Sequence, residues 1–226
     1  MASWSKLGVQ VEVLHSKAAV ATQILVKRAG SSLLVDAGDG TLRDLLDRGI
    51  QPEGLTAVLL THGHYDHVGG LHSLLGYLKM KKRSLSLPVF LPRGCNEGRS
   101  LLDGFARIHS SRMPFEVDVS ELEDGDEFSV AAFRVVSRSV PHSTVDAPMP
   151  ALGYRLTDGA VSVAFTGDCG DSESVRELVK GADLALVEAS FKCYSSESQR
   201  SFHLTETLAR EIGSLAKEHF LVHTGI

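Results

Sequence analysis

The stretch LLTHGHYDHVGGL, residues 59–71, ends an apolar run and then places His62, His64, Asp66 and His67 within six positions. On an extended segment, side chains two apart point to the same side, so His62 and His64 can share one ion. Asp66 and His67 follow where the chain turns into a helix, close enough to hold a second ion beside the first. Gly63 keeps the crossing small, and Gly69-Gly70 lets the following helix pack closely. A surface histidine cluster and a structural zinc site are the bland alternatives. Structural zinc is usually closed by four ligands, mostly thiolates, and none of Cys95, Cys169 and Cys193 lies in the motif. Nitrogen and carboxylate donors instead suit a catalytic zinc, or manganese or iron, with a position left for water.

Outward from this motif the pattern is mixed. Strand-like runs recur as VQVEVL, TQILVK, SLLVDAG, AVLLTH, LPVFLP, FRVVS, YRLTD, VSVAFTGD, LALVEAS and HFLVHT. Between them lie helical patterns opened by Gly, Asp or Ser: GTLRDLLDRG, HVGGLHSLLGYLKMKK, EGRSLLDGFARI, SESVRELVKG and HLTETLAREIGSLAKEH. Interspersed strands and helices with no low-complexity linker predict an α/β layered fold in one domain over residues 1–226. Four of the apolar runs end in a residue that can bind a metal: Asp36, His62, Asp168 and His223. Strand ends are held by a rigid sheet yet face the loop layer, where a ligand can reach them.

Composition narrows the class. At 226 residues and 43% hydrophobic the chain can bury a real core. No run approaches the eighteen or so apolar residues of a membrane helix, and the start lacks the layout of a signal peptide. A cytoplasmic protein with no membrane partner is the default expectation. Three cysteines without CxxC spacing support neither a disulfide framework nor a cysteine zinc knuckle. The net charge of -5 argues against non-specific nucleic-acid binding by the whole surface. Residues 79–112 nevertheless carry eight basic against two acidic side chains, which reads either as a solvated face or as an attractor for an anionic substrate. On the second reading, Lys79 to Arg83 would meet a distal phosphate.

THGHYDH resembles the signature of the metallo-β-lactamase-fold hydrolases, and the other landmarks of that superfamily follow in order. The resemblance implies a four-layer αββα sandwich holding two divalent ions, zinc first, with Mn2+ or Fe2+ as alternatives. It implies that His142, in SVPHS, completes the first ion's set with His62 and His64. Asp168, in FTGD, would bridge both ions, and His223, in LVHT, would join Asp66 and His67 on the second. Asp36, in LLVDAGDG, matches an acid that orients ligands through hydrogen bonds.

Within the superfamily, LPVFLPRG, LEDGDEF, PALGYRL, TGDCGD, KGADLALVEASF and HLTETLAREI are similar to the tRNase Z group and the phosphonate-pathway cyclic phosphodiesterases. That branch implies that His203, in HLT, protonates the leaving oxygen. Asp66 and His203 are thus the candidate catalytic residues. Glu188, in VEASF, ends another strand and could support His203, but it is not assigned that role. Cys169 reads as packing, because alternation turns it away from Asp168. His15, His72, His109 and His219 have no partner spacing and read as structural or surface residues.

Three departures bear on the substrate. The tRNase Z enzymes insert a protruding arm that grips tRNA, whereas here twenty-five residues separate His142 from Asp168. The ending HTGI lacks the serine, arginine and aromatic residues of that family, and VEVLHSKAA lacks its Gly-rich first turn. A small or cyclic phosphodiester, or an unstructured nucleotide, fits better than folded tRNA. The expected function is therefore a binuclear phosphodiesterase in which a metal pair activates water, with loop 143–150 lining its pocket. The alternatives are a hydrolase of a carbonyl ester, thioester or lactam, and a non-catalytic metal-binding module for RNA or protein. Relatives in the family are often dimers, which leaves a homodimer open, although no apolar stripe marks an interface.

Overall fold

The structure is a computed structural model that describes residues 2–51, 54–143 and 147–225. The first half builds a seven-stranded sheet from β1 (Ser3–Lys6), β2 (Val9–Lys17), β3 (Ala21–Arg28), β4 (Ser31–Val35), β5 (Leu55–Leu59), β6 (Leu87–Pro92) and β7 (Val117–Leu122), paired in chain order. The second half builds a six-stranded sheet from β8 (Glu127–Val130), β9 (Phe133–Ser139), β10 (Leu152–Thr157), β11 (Ser162–Phe165), β12 (Leu184–Glu188) and β13 (Glu218–Val222), again in chain order. Strands β4 to β7 run parallel, as do β11 to β13, and the remaining neighbours are antiparallel.

Each sheet buries both faces, which is why its strands read as continuous apolar runs. In the first sheet Ile24, Val26, Leu33, Val35, Ala57 and Leu59 point inward, against Tyr154, Leu156, Val163, Phe165, Leu184 and Leu186 of the second. Their neighbours Leu25, Leu34 and Val58 point outward, beneath helices α1 (Thr41–Asp47), α3 (Leu71–Met80) and α4 (Asn96–His109). On the other side Ala164, Ala185 and Val187 meet α5 (Glu173–Val179) and α6 (Glu206–Gly213). The layers are helix, sheet, sheet, helix, the αββα sandwich that the motif implied. No helix among the described residues is long and apolar enough to cross a membrane.

Two contacts lock the sheets together next to the quoted motif. The buried Tyr154 hydroxyl donates to the Leu60 carbonyl at 2.7 Å, and the Leu152 N–H donates to the Thr61 carbonyl at 2.8 Å. The helical pattern after His64 divides into a short α2 (Tyr65–Val68) and α3 at Gly69-Gly70. Close packing explains the second glycine: a Cβ on Gly70 would come within 2.2 Å of the Gly38 carbonyl oxygen. The loops after β4, β5, β9, β11, β12 and β13 consequently collect at one edge of the sandwich.

Candidate metal centre and active site

All eight sequence-derived site residues meet at that edge. His62 leaves β5 fully buried, and its Nε2 lies 3.1 Å from His64 Nδ1. His142, which follows β9, brings its Nε2 to 3.1 Å from the same His64 Nδ1. With Asp168 these three side chains offer one donor atom each, all within 4.8 Å of one another. Asp66, His67 and His223 form a second such group, in which His223 Nε2 lies 3.1 Å from Asp66 Oδ2. Asp168 stands between the groups, its Oδ2 3.8 Å from His62 Nε2 and its Oδ1 3.4 Å from His67 Nε2.

Backbone geometry aims these side chains. Asp36 and His223 both adopt positive φ, 59° and 51°, a left-handed conformation that Asp and His tolerate better than most residues. There each strand ends and its side chain turns into the site. Asp36 then accepts from the Thr61 N–H at 2.8 Å and from His67 Nδ1 at 2.7 Å. In the neutral ring this bond places the proton on Nδ1 and leaves Nε2 as a lone pair, the form needed to hold a cation. Likewise His142 Nδ1 lies 2.9 Å from the Phe202 carbonyl, to which it must donate. Thr61 was not read as functional, yet its hydroxyl touches both Asp36 oxygens and His62 Nδ1.

On the far side of Asp168, Glu188 and His203 form a second acid–imidazole pair. Glu188 Oε1 lies 2.9 Å from His203 Nδ1 and accepts from the Leu204 and Cys169 N–H groups at 3.0 and 3.2 Å. Glu188, unassigned from sequence, is thus the residue that orients His203. Ser190, also unread, bonds Glu188, His203 and His223 through its hydroxyl. The only sequence signal for either is proximity in VEAS, residues 187–190.

Charge follows this geometry. Burial pushes His62 and His64 below the ordinary histidine value and takes His142 down to about 4, so these rings are neutral, the form in which imidazole ligates. Burial also opposes charge on His67, but Asp168 and Asp36 outweigh it and hold the ring well above its usual range. Asp168 is held far below the carboxylate range despite its burial, by His223 and His67. For His203, burial lowers the pKa, and the hydrogen bond and charge of Glu188 more than compensate.

Of the buried side-chain atoms without a hydrogen bond among the described residues, two lie in the site: His67 Nε2 and Asp168 Oδ1. An unpartnered buried polar atom costs roughly 1–3 kcal/mol, and these two face each other across 3.4 Å. A cation between them would satisfy both, so the donor set fits divalent ions.

One sequence reading changes. The run Lys79–Arg83 ends α3 and leads into the start of β6, while the site lies at the ends of the parallel strands β5 and β6. A strand's length of about 17–20 Å therefore separates it from the chemistry. Arg83 is buried, donating to the Leu85 and Ser86 carbonyls at 2.8 Å and lying over the Phe115 ring. This segment cannot hold a distal phosphate. A cavity of about 630 Å³ opens at the same remote end between Ser84, Phe105 and Phe115. Residues 144–146 of the loop expected to line the pocket lie outside the described residues. The remaining readings stand: Cys169 is buried under α5 and α6, His72 and His109 pack on Phe105, and His15 and His219 join no metal-like group among the described residues.

The sequence model of a family described as the beta-lactamase superfamily domain matches residues 32–224. The chain belongs to that family. Among curated proteins it is similar to a ribonuclease Z of Geobacillus kaustophilus, 28% identical over 92% of this chain and 81% of that protein. Among solved structures, the metallo-beta-lactamase fold protein YhfI of Bacillus subtilis superposes with a TM-score of 0.78 at 21% identity, covering 96% of this chain and 88% of the other. The human short-form tRNase Z gives 0.76 at 21% identity, covering 95% and 92%. The two superpositions show the shared fold, and the matches as a group place the chain near the tRNase Z branch of the superfamily.

Asp36→Asn is expected to weaken metal binding by about 10- to 100-fold, the usual effect of losing a residue that orients a ligand, while the melting temperature of the metal-free chain changes little. Competition with a chelator measures the affinity. Unchanged affinity would mean that His67 does not need Asp36 to point its Nε2.

Proposed function

We propose that this chain is a phosphodiesterase whose His62, His64, His142 and Asp168 hold one divalent ion and whose Asp66, His67, His223 and Asp168 hold a second. It is a metal-dependent hydrolase, and zinc is the ion that this mixture of imidazole and carboxylate donors suits best. Bound there, the ions supply Lewis acidity toward phosphoryl oxygens and a water acidic enough to attack near neutral pH.

The chain's own residues do the rest. Asp66 and Asp168 offset part of the added positive charge. His203 carries a proton on Nε2, the ring nitrogen that Glu188 does not use, and gives it to the departing alkoxide as the P–O bond breaks. The observation that carries this reading is the Glu188–His203 pair beside Asp168, with His203 Nδ1 4.0 Å from Asp168 Oδ2. A carboxylate that raises the pKa of a buried imidazole makes a proton donor, which an alkoxide leaving group needs.

For the substrate, the ribonuclease Z relatives favour a nucleotide phosphodiester. The twenty-five residues between His142 and Asp168 contain a loop and the β10–β11 hairpin, which leaves no length for a protruding arm. A small, cyclic or single-stranded nucleotide diester therefore fits better than folded tRNA. The test is metal content by mass spectrometry, with turnover of bis(p-nitrophenyl) phosphate, a lactone and a chromogenic cephalosporin on the same sample before and after chelation. Two metals per chain, and diesterase activity that vanishes and returns with zinc or manganese, are expected. A fully loaded chain that turns over the lactone or cephalosporin but no diester would refute the reading.

A further inference from the structure

Ser190 is buried, two residues beyond the end of β12, and its hydroxyl sits where the two halves of the site touch. Its oxygen lies 2.9 Å from Glu188 Oε2, 2.9 Å from His223 Nδ1 and 3.1 Å from His203 Nδ1. Glu188 Oε2 also accepts the Ser190 N–H at 2.8 Å. A hydroxyl has one proton to give and two lone pairs to offer, and a carboxylate can only accept. Two arrangements of protons satisfy this geometry. In one, the hydroxyl donates to His223 Nδ1, and His223 Nε2–H donates to Asp66 Oδ2 across 3.1 Å. In the other, the hydroxyl donates to Glu188 and accepts from His223 Nδ1–H, which frees His223 Nε2 as a lone pair beside Asp66. Only the second lets His223 ligate through Nε2, and passing from the first to the second takes rotation of the Ser190 O–H together with a change of His223 tautomer, its proton leaving Nε2 and returning at Nδ1.

We propose that Ser190 is the positioning residue that presents His223 to the second metal ion, and that it does so from the same carboxylate that orients the proton donor His203. One hydroxyl thereby ties the ligand His223 to the Glu188–His203 pair. In the first sheet Asp36 serves His67 in the same way, but with a charge; in the second sheet a neutral hydroxyl serves His223 and borrows the charge of Glu188. This inference rests on the proposed pair of metal ions.

The test uses Ser190→Ala and Ser190→Thr, because alanine cannot accept the His223 proton and threonine keeps the hydroxyl. Zinc affinities come from competition titration, and the His223 Nδ1–H proton is followed by NMR in the zinc-loaded chain. In Ser190→Ala one of the two zinc steps should weaken about 10- to 100-fold while the other holds, and the Nδ1–H proton should exchange rapidly with water. Ser190→Thr should restore both signals toward wild type. Wild-type protein that binds two zinc ions, with Ser190→Ala matching it in both zinc steps and in Nδ1–H protection, would overturn this inference alone. Wild-type protein that takes up no zinc would overturn the metal reading and this inference together.

Discussion

Asp168→Ala is expected to lose metal and turnover together, with diesterase activity falling by about 10³-fold or more, beyond the 10- to 100-fold of an orienting residue. Asp168 reaches both donor groups, through different oxygens. Without it each group keeps three donors, His62, His64 and His142 on one side and Asp66, His67 and His223 on the other. Its negative charge also goes, and with it the chief offset to a second cation placed beside the first. At close range two like charges repel by several kcal/mol in a partly buried site, so the variant should hold one ion or none. His62→Ala should resemble it, since His62 is fully buried and supplies one of the three nitrogens of its group. Metal counting, turnover and the rise in melting temperature on adding zinc should report the same loss. A hundredfold excess of zinc over its Kd stabilises by about 2.7 kcal/mol per site, a gain that the variant should largely forfeit. If Asp168→Ala bound two ions and kept its rate, the bridging role would be wrong.

How far the chain could be read in advance depended on where each feature sits. Ten strands were visible as apolar runs because the layers on either side bury both faces of a sheet. The three that escaped, β1, β7 and β8, are three of the four sheet edges. An edge strand is short and half-wet, with little apolar signal: β1 reads SWSK and β8 reads EFSV. In the site, His62 to His67 declared themselves by local spacing, and Asp36, Asp168 and His223 by ending apolar runs. Thr61 and Ser190 did not, since a hydroxyl beside a ligand has no spacing of its own and matters only once the second sheet brings its partners. The basic segment misled for a related reason. A run of lysines reports charge but not which end of a βαβ crossover it occupies, and α3 carries this one away from the metal motif.

His203→Ala should leave both metals bound and still slow the reaction by about 10²–10⁴-fold, the usual worth of a positioned proton donor. His203 packs against the His142 and His223 rings at 5.2 and 5.7 Å between centroids, but its Nδ1 is taken by Glu188, so removing the ring leaves the proposed ligand atoms themselves in place. The loss should depend on the leaving group. p-Nitrophenolate departs without a proton, so bis(p-nitrophenyl) phosphate should be hydrolysed almost normally, whereas an alkyl diester should suffer the full loss. The pH profile supplies the sign. His203 acts in its protonated form, so turnover of an alkyl diester falls as pH rises through its pKa, which Glu188 holds above the ordinary histidine value against the opposing effect of burial. Glu188→Gln removes that charge, so the same fall should move to lower pH, measured with zinc in excess so that both sites stay filled. A merely structural Glu188 would change stability and leave the position of the limb where it was. Full retention of rate by His203→Ala on an alkyl diester would remove His203 from the reaction and leave the acid to be found elsewhere in the site.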